Sequence, residues 1–297
     1  MSQSVLAHYA QLDPTCRLSQ AWEGLRTRHE DFCLYRLHVP LAVFRGARVL
    51  DAGCGSGEYS AIYASWGAHV LGVDGNPSAL EHARQLAATL SLSIAYEQHD
   101  LNDWEPPQAS AEFVICQGVL QHLERPRQAL ESLVRALVPG GFLIAYVSPY
   151  EGNHIRRLMR QVIRASNPTL SHAVALTRQF FSRYLDRAVT HGQRTAEQVV
   201  WDNFLTPRLT PFHLSDMLGW FHDSGLRLYR SWPTLEPPDI TPSLAPTRDW
   251  TDATHRNRLA AEWVRWLSAD DFEQYDGVGQ WWLVGIRTRS GGDTGGT

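Results

Sequence analysis

Lysine is missing from this chain of 297 residues, and all 27 basic side chains are arginine. Chemistry that needs a lysine amine is therefore excluded: Schiff-base and pyridoxal-phosphate enzymes, and any phosphate loop built on lysine. Cysteine is scarce as well. The four present, Cys16, Cys33, Cys54 and Cys116, form no C-x-x-C pair, so neither a zinc site nor a disulfide framework is expected, and nothing calls for a metal. No apolar run is long enough to cross a bilayer, and the opening MSQSVLAHYAQLDP lacks the charged-then-apolar build of a secretion signal. The expected location is the cytoplasm, with no membrane partner. Surplus positive charge is absent too: 27 basic against 31 acidic residues give a formal charge of −4. That balance argues against a grip on bulk nucleic acid.

What is present fits an ordinary globule, because 43% hydrophobic and 20% charged residues lie near globular averages and the length allows one large domain or two small ones. Leu18, Trp22, Leu25, Phe32 and Tyr35 recur at helical spacing until Pro40 ends the pattern. From residue 48 short apolar runs alternate with helical text: RVLDA, EYSAIYASWG, HVLGVD, PSALEHARQLAATL, SIAYEQHD, EFVICQ, PRQALESLVRAL and FLIAYVS. This rhythm predicts βαβ units on a parallel sheet with right-handed crossovers, the helix before FLIAYVS ending at Pro139-Gly140-Gly141. Residues 150–212 break it with helical text and no buried strand, and read as an inserted cap. LSDMLGWFHDSGL then gives a helix and LRLYRSW a strand; a proline-rich loop from Pro233 to Pro246, a helix near 252–268 and a last strand QWWLVGIRTR follow. The two late strands, with no crossover helix between them, are expected to pair antiparallel at the sheet edge. The expected organisation is an N-terminal helical lid (1–44), a cofactor-binding core (45–149), a helical substrate cap (150–212), the rest of the core (213–289) and a disordered Gly-rich tail (290–297).

The sharpest local signal is Val49-Leu50-Asp51-Ala52-Gly53-Cys54-Gly55-Ser56-Gly57, a strand that stops in three alternate glycines and opens a helix. Glycine permits positive φ and close backbone approach to a ligand, and a helix start leaves N–H groups facing it. A dinucleotide fingerprint would place its third glycine at position 58, which is Glu58, so the spacing argues against NAD. Downstream, Asp74 ends a second strand with a carboxylate, the usual grip on two ribose hydroxyls in such a fold.

Five motifs in order, DAGCGSG, GVD, HDLND, FVICQGVLQHL and LVPGGFLIAYVSP, resemble the class I S-adenosylmethionine-dependent methyltransferase family from about residue 45 to 149, with fainter support over 211–232. The resemblance implies a Rossmann-like α/β sheet of seven strands, the last antiparallel, with S-adenosyl-L-methionine as cofactor. It implies that the Gly53–Gly57 turn, with Cys54 and Gly55, passes beneath the methionine and ribose, that Asp51 orients the cofactor, and that Asp74, with Gly75, holds the ribose hydroxyls. By the same resemblance Asp100 and Leu101 meet the adenine, and Gln117 and Gly118 lie beside the methionine. His122 is a candidate general base, set against a structural or capping role. Asp103 is a second adenine contact or simply part of a turn. Cys54 and Cys116 read as buried fillers rather than nucleophiles.

The acceptor side is thinner. Residues 152–185 carry Arg156, Arg157, Arg160, Arg164, Arg178 and Arg183 and no acid, which reads either as a face that attracts a carboxylate or phosphate or as a solvated helix surface. Aromatic residues are dense before and after the core; most belong to packing, while a few could cage a sulfonium. Asn203, in the stretch Trp201-Asp202-Asn203-Phe204, and Tyr150, just past the fifth strand, are the acceptor-side candidates. The expected activity is methyl transfer to an oxygen or nitrogen of a small molecule by in-line displacement. Alternatives are a lyase that forms azetidine-2-carboxylate and methylthioadenosine from the cofactor alone, an RNA or DNA methyltransferase, and a non-catalytic cofactor-binding protein. A monomer or homodimer is expected.

Overall fold

The computed structural model describes residues 3–12, 22–150, 153–192, 194–232 and 281–288. A seven-stranded sheet forms from β1 (Arg48–Ala52), β2 (His69–Asp74), β3 (Ala95–Gln98), β4 (Ala111–Gln117), β5 (Leu137–Val147), β6 (Leu226–Trp232) and β7 (Trp281–Arg287), in the order β3-β2-β1-β4-β5-β7-β6. β3, β2, β1, β4 and β5 run parallel, and β7 enters antiparallel between β5 and β6. The expected antiparallel pair therefore closes one edge, with β6 outermost. Side chains alternate faces along each strand. Leu50, Val114 and Leu143 point into one core, while their neighbours Val49, Phe113 and Ile144 point into the other with Phe44, Tyr63 and Trp282. Burial on both faces is why these strands read as continuous apolar runs.

Helices α3 (Glu58–Ser65), α4 (Pro77–Thr89) and α5 (Pro126–Ala136) are the crossovers, and α9 (Leu214–Asp223) packs before β6. Local chemistry sets their starts. Asn76 caps α4 by accepting the Ser78 N–H at 3.0 Å, and Pro77 and Pro126 occupy first-turn positions where no N–H is needed. One boundary differs from expectation. The glycine pair at 140–141 does not end α5; that helix stops at Ala136, and β5 begins at Leu137, which pairs with Ala111 across a bulge before the regular ladder resumes at Phe142.

On the N-terminal side are α1 (Gln3–Gln11), which no periodicity announced, and α2 (Trp22–Tyr35). The start of the helical pattern expected from Leu18 falls outside the described residues, as do Cys16, the proline-rich loop, the 252–268 helix and the tail.

Between β5 and α9 the described chain is helical: α6 (His154–Arg164), α7 (Leu170–Gly192), kinked at Phe181, and α8 (Ala196–Val200), which runs into a π-helical turn over Trp201–Leu205. These helices have a core of their own, including Ile163, Val174, Leu185, Val199 and Phe204. The two ends of the segment meet, the Tyr150 N–H donating to the Phe212 carbonyl at 2.7 Å and the Phe212 N–H to the Ser148 carbonyl at 3.0 Å.

Candidate active site

After β1 the chain reverses through Gly53, Gly55 and Gly57, whose φ values of 81°, 54° and 82° lie in the left-handed region. The Gly53 and Cys54 N–H groups donate to the Val73 carbonyl at 2.6 and 3.0 Å, tying the turn to β2. A Cβ on Gly53 would lie 2.2 Å from Val119 Cγ2, so this position admits only glycine. Asp51, buried at the end of β1, accepts the Ser60 hydroxyl at 2.6 Å. Its burial outweighs that bond and, with Asp74 and Glu58 nearby, raises its pKa to about 7. Asp74 turns its carboxylate onto the loop itself: Oδ2 accepts the Gly55 N–H at 3.0 Å and Oδ1 the Asn76 N–H at 2.8 Å. Next to it, Leu6 of α1 approaches within 2.8 Å of where a Cβ on Gly75 would stand. Glycine there lets α1 lie over the turn.

At the end of β4 the Gln117 side-chain N–H donates to the Tyr63 hydroxyl at 3.2 Å, and Tyr63 in turn meets His29 Nε2 at 3.0 Å. Gln117 Oε1 is buried with no donor. Gly118 follows with φ 72°. After β3, Asp100 Oδ1 accepts from the Asn102 backbone and side chain at 2.9 and 3.0 Å, and Asn102 Oδ1 accepts the N–H groups of Glu124 and Arg125 at 2.8 and 3.1 Å. This network locks Asp100 and the buried Leu101 beside the loop that carries His122. Asp103 is in the turn and ion-pairs with Arg125 at the surface. Burial holds the Cys54 thiol well above its usual range and pushes Cys116 up to about 12, leaving both as un-ionised fillers.

A second buried polar cluster joins the core, α1 and the cap. The Tyr9 hydroxyl lies 3.4 Å from both ring nitrogens of His122, 3.2 Å from Asp202 Oδ1 and 3.3 Å from Thr206 Oγ1. His122 Nδ1 is 2.7 Å from the Arg208 carbonyl. A carbonyl only accepts, so Nδ1 carries the hydrogen and Nε2 keeps its lone pair. Burial lowers the His122 pKa against the pull of Asp202 and the Arg208 carbonyl, so the ring is neutral at neutral pH. Burial raises the Tyr9 hydroxyl well above its usual range. Burial also acts to raise Asp202, but the Arg194 guanidinium at 3.0 Å overcomes it and keeps the carboxyl ionised. Beside this cluster His8 stacks on Trp201 at 3.9 Å, and each reaches the other's carbonyl at 3.1 Å.

Of the candidate base His122 and the two acceptor-side candidates, only His122 is in this cluster. Tyr150 lies against Arg157 and the His213 ring at the base of the cap. The Asn203 amide donates back to the Val199 carbonyl at 3.0 Å. Its neighbour Asp202 is the side chain that faces Tyr9. Sequence reasoning missed Tyr9, Asp202, Arg194 and Thr206, although Asp202 stood in the very stretch selected, and only its unusual mix of acid and aromatics marked it.

The family profile described as a methyltransferase domain matches residues 49–141. A ubiquinone biosynthesis O-methyltransferase of Alkalilimnicola ehrlichii is 36% identical over 107 residues, covering 35% of this chain and 42% of that protein. The chain spans between 38% and 59% of the length of other curated relatives bearing that name. The methyltransferase solved in complex with the Trm112 methyltransferase activator of Haloferax volcanii superposes with a TM-score of 0.54 at 19% identity, over 97% of this chain and 100% of that one. PKMT2 from Rickettsia typhi in complex with AdoHcy gives a TM-score of 0.55 at 14% identity, over 84% of this chain and 50% of that one. At such identities these two likenesses establish the fold. Profile, motif order and strand topology agree, and residues 49–141 belong to the class I S-adenosylmethionine-dependent methyltransferase family.

Proposed function

We propose that the chain binds S-adenosylmethionine over the Gly53–Gly57 turn and transfers its methyl group to an oxygen of a small molecule, with His122 taking the acceptor's proton. The observation that carries this reading is a buried, neutral imidazole with Nδ1–H fixed on the Arg208 carbonyl, its Nε2 lone pair free to accept. The cofactor fits the residues present: Gln117 Oε1 is a buried acceptor lacking a donor, and the turn has no side chain at three of its five positions. Asp74 would hold the ribose hydroxyls, Asp100 and Leu101 the adenine, Gln117 and Gly118 the methionine end, and Asp51 the cofactor's orientation. Gly53, Cys54, Gly55 and Gly75 supply backbone. When bound, S-adenosylmethionine supplies an electrophilic methyl group on a sulfonium.

The chain's own contribution is alignment and proton transfer. Asp202, held ionised by Arg194, favours the protonated imidazole once His122 accepts a proton, while α1 covers the site from the side of Gly75. The oxygen acceptor is supported by the name of the A. ehrlichii relative. Titration calorimetry with S-adenosylmethionine tests the first half: Asp74→Ala is expected to weaken binding by about 1–3 kcal/mol, the scale of lost charged hydrogen bonds. Mass spectrometry of the protein with cofactor alone tests the second. The cofactor is expected to persist until an acceptor is added, and enzyme-dependent methylthioadenosine would overturn methyl transfer.

A further inference from the structure

Past β5 the chain enters the cap around a shallow recess, open to solvent, walled by Ser148, Asn153, Arg156, Arg157, Arg160 and Pro211. Three of these are guanidinium side chains of the single helix α6, and residues 152–185 contain no Asp or Glu. Arg157 donates to the Tyr150 carbonyl at 3.4 Å and the Tyr150 hydroxyl at 3.1 Å, its guanidinium 3.8 Å from the centre of that ring. Arg160 donates to the carbonyls of Asn203, at 3.2 Å, and Thr206. Arg164 converges on the same Thr206 oxygen at 2.9 Å. Carbonyls and a phenol satisfy N–H groups but neutralise no charge. Among the described residues no carboxylate lies at ion-pair distance from Arg157 or Arg160. Asp202, which acts on Arg160 electrostatically, is already held by Arg194. Burial, together with the Arg164 charge, pulls the Arg160 guanidinium down to about 10. Arg157 and Arg160 thus bring to the recess positive charge that no carboxylate among the described residues pairs with.

We propose that this recess anchors an anionic group, a carboxylate or a phosphate, on the methyl acceptor, through the paired N–H forks of α6. Guanidinium groups bind such oxygens two at a time. The proposal rests on the methyl-transfer reading above, because position makes the anion an acceptor's. Thr206 receives Arg160 and Arg164 on its carbonyl and the Tyr9 hydroxyl on its own hydroxyl. One residue therefore separates the recess from the Tyr9–His122 pair. The glycine turn lies on β1, two strands from the β5 end where the recess opens.

The test is thermal-shift and calorimetric titration of the cofactor-free full chain with sodium acetate and with inorganic phosphate, ionic strength being held with chloride. It is run on the natural chain, on Arg157→Gln and on Arg156→Gln/Arg157→Gln, then repeated with saturating S-adenosylhomocysteine. Saturable binding of at least one anion is expected, weakened about tenfold or more in the double variant and undiminished by the nucleoside. Acetate alone, phosphate alone or both then identify the group. Binding that is absent, equal in all three proteins, or abolished by S-adenosylhomocysteine would overturn the proposal, the last outcome giving the recess to the cofactor's own carboxylate. Arg157 is half-buried and outside the cofactor turn, so its single variant guards against a double variant that fails to fold. Nucleoside binding to the natural chain reads the methyltransferase assignment separately: its failure would remove that assignment and leave the anion titration interpretable.

Discussion

Asp51 closes β1 with its carboxyl buried against Ser60, and burial places its pKa near 7. The folded protein thus holds a proton there between the unfolded value of about 3.9 and about 7, while the unfolded chain does not. Stability from this group falls as pH rises through that window and is flat above it. A cationic ligand over the turn favours the ionised form, so cofactor binding is expected to release a proton below about pH 7 and to tighten as pH approaches 8. Calorimetry in two buffers of different ionisation enthalpy measures that release. Asp51→Asn should abolish it and, at about pH 8, melt no lower than the natural protein, since it removes a buried charge. A lower melting temperature there would show that the folded state favours the carboxylate.

The elements were more legible than the side chains they carry. α1 is held by a reciprocal exchange: His8 stacked on Trp201, each reaching the other's backbone, with Leu6 packed where Gly75 has no side chain. Trp201→Ala removes the stack and one hydrogen bond, and should loosen α1 without unfolding the sheet. Hydrogen exchange over residues 3–12 is expected to rise while that of β1 and β4 stays unchanged; equal protection in both proteins would mean another contact holds the helix. The strands of the core could be read because burial on both faces writes itself as Val-Ile-Leu runs, and the turn because three alternate glycines have few other uses. The cap's polar cluster could not be read. Tyr9, His122 and Asp202 are separated by most of the chain, and no period links them. The π turn at Trp201–Leu205 also resets helical phase, so α-helical spacing cannot say whether Asp202 or Asn203 faces inward. α1 is only 9 residues long, too short for periodicity to stand out.

Across the whole molecule, His8 and His122 place two imidazoles where α1, the cap and the sheet meet, and burial lowers both pKa values. The unfolded chain binds protons at these positions from about pH 6.5 downward while the folded chain resists them. Their contribution is therefore complete above about pH 6.5 and lost as pH falls below it. The Asp51 slope opposes this one, so the test is made on Asp51→Asn: its melting temperature should decline from about pH 7 to 5, and adding His122→Gln should flatten that decline. His122→Gln alone should lower methyl transfer at neutral pH by about 100-fold, the scale of a missing general base. A double variant with an unchanged acid slope would assign the slope to other groups.

The backbone junction at Ser148, Tyr150 and Phe212 has a further meaning. Because the chain leaves the sheet and returns to it at neighbouring hydrogen-bonded residues, everything between is topologically a side loop, however large. Such a loop, carrying its own apolar core, can be lengthened, rebuilt or exchanged during descent without moving the strands that carry the glycine turn. On the proposed function, cofactor use and acceptor choice would then be separable traits, one carried by the sheet and the other by the loop it holds.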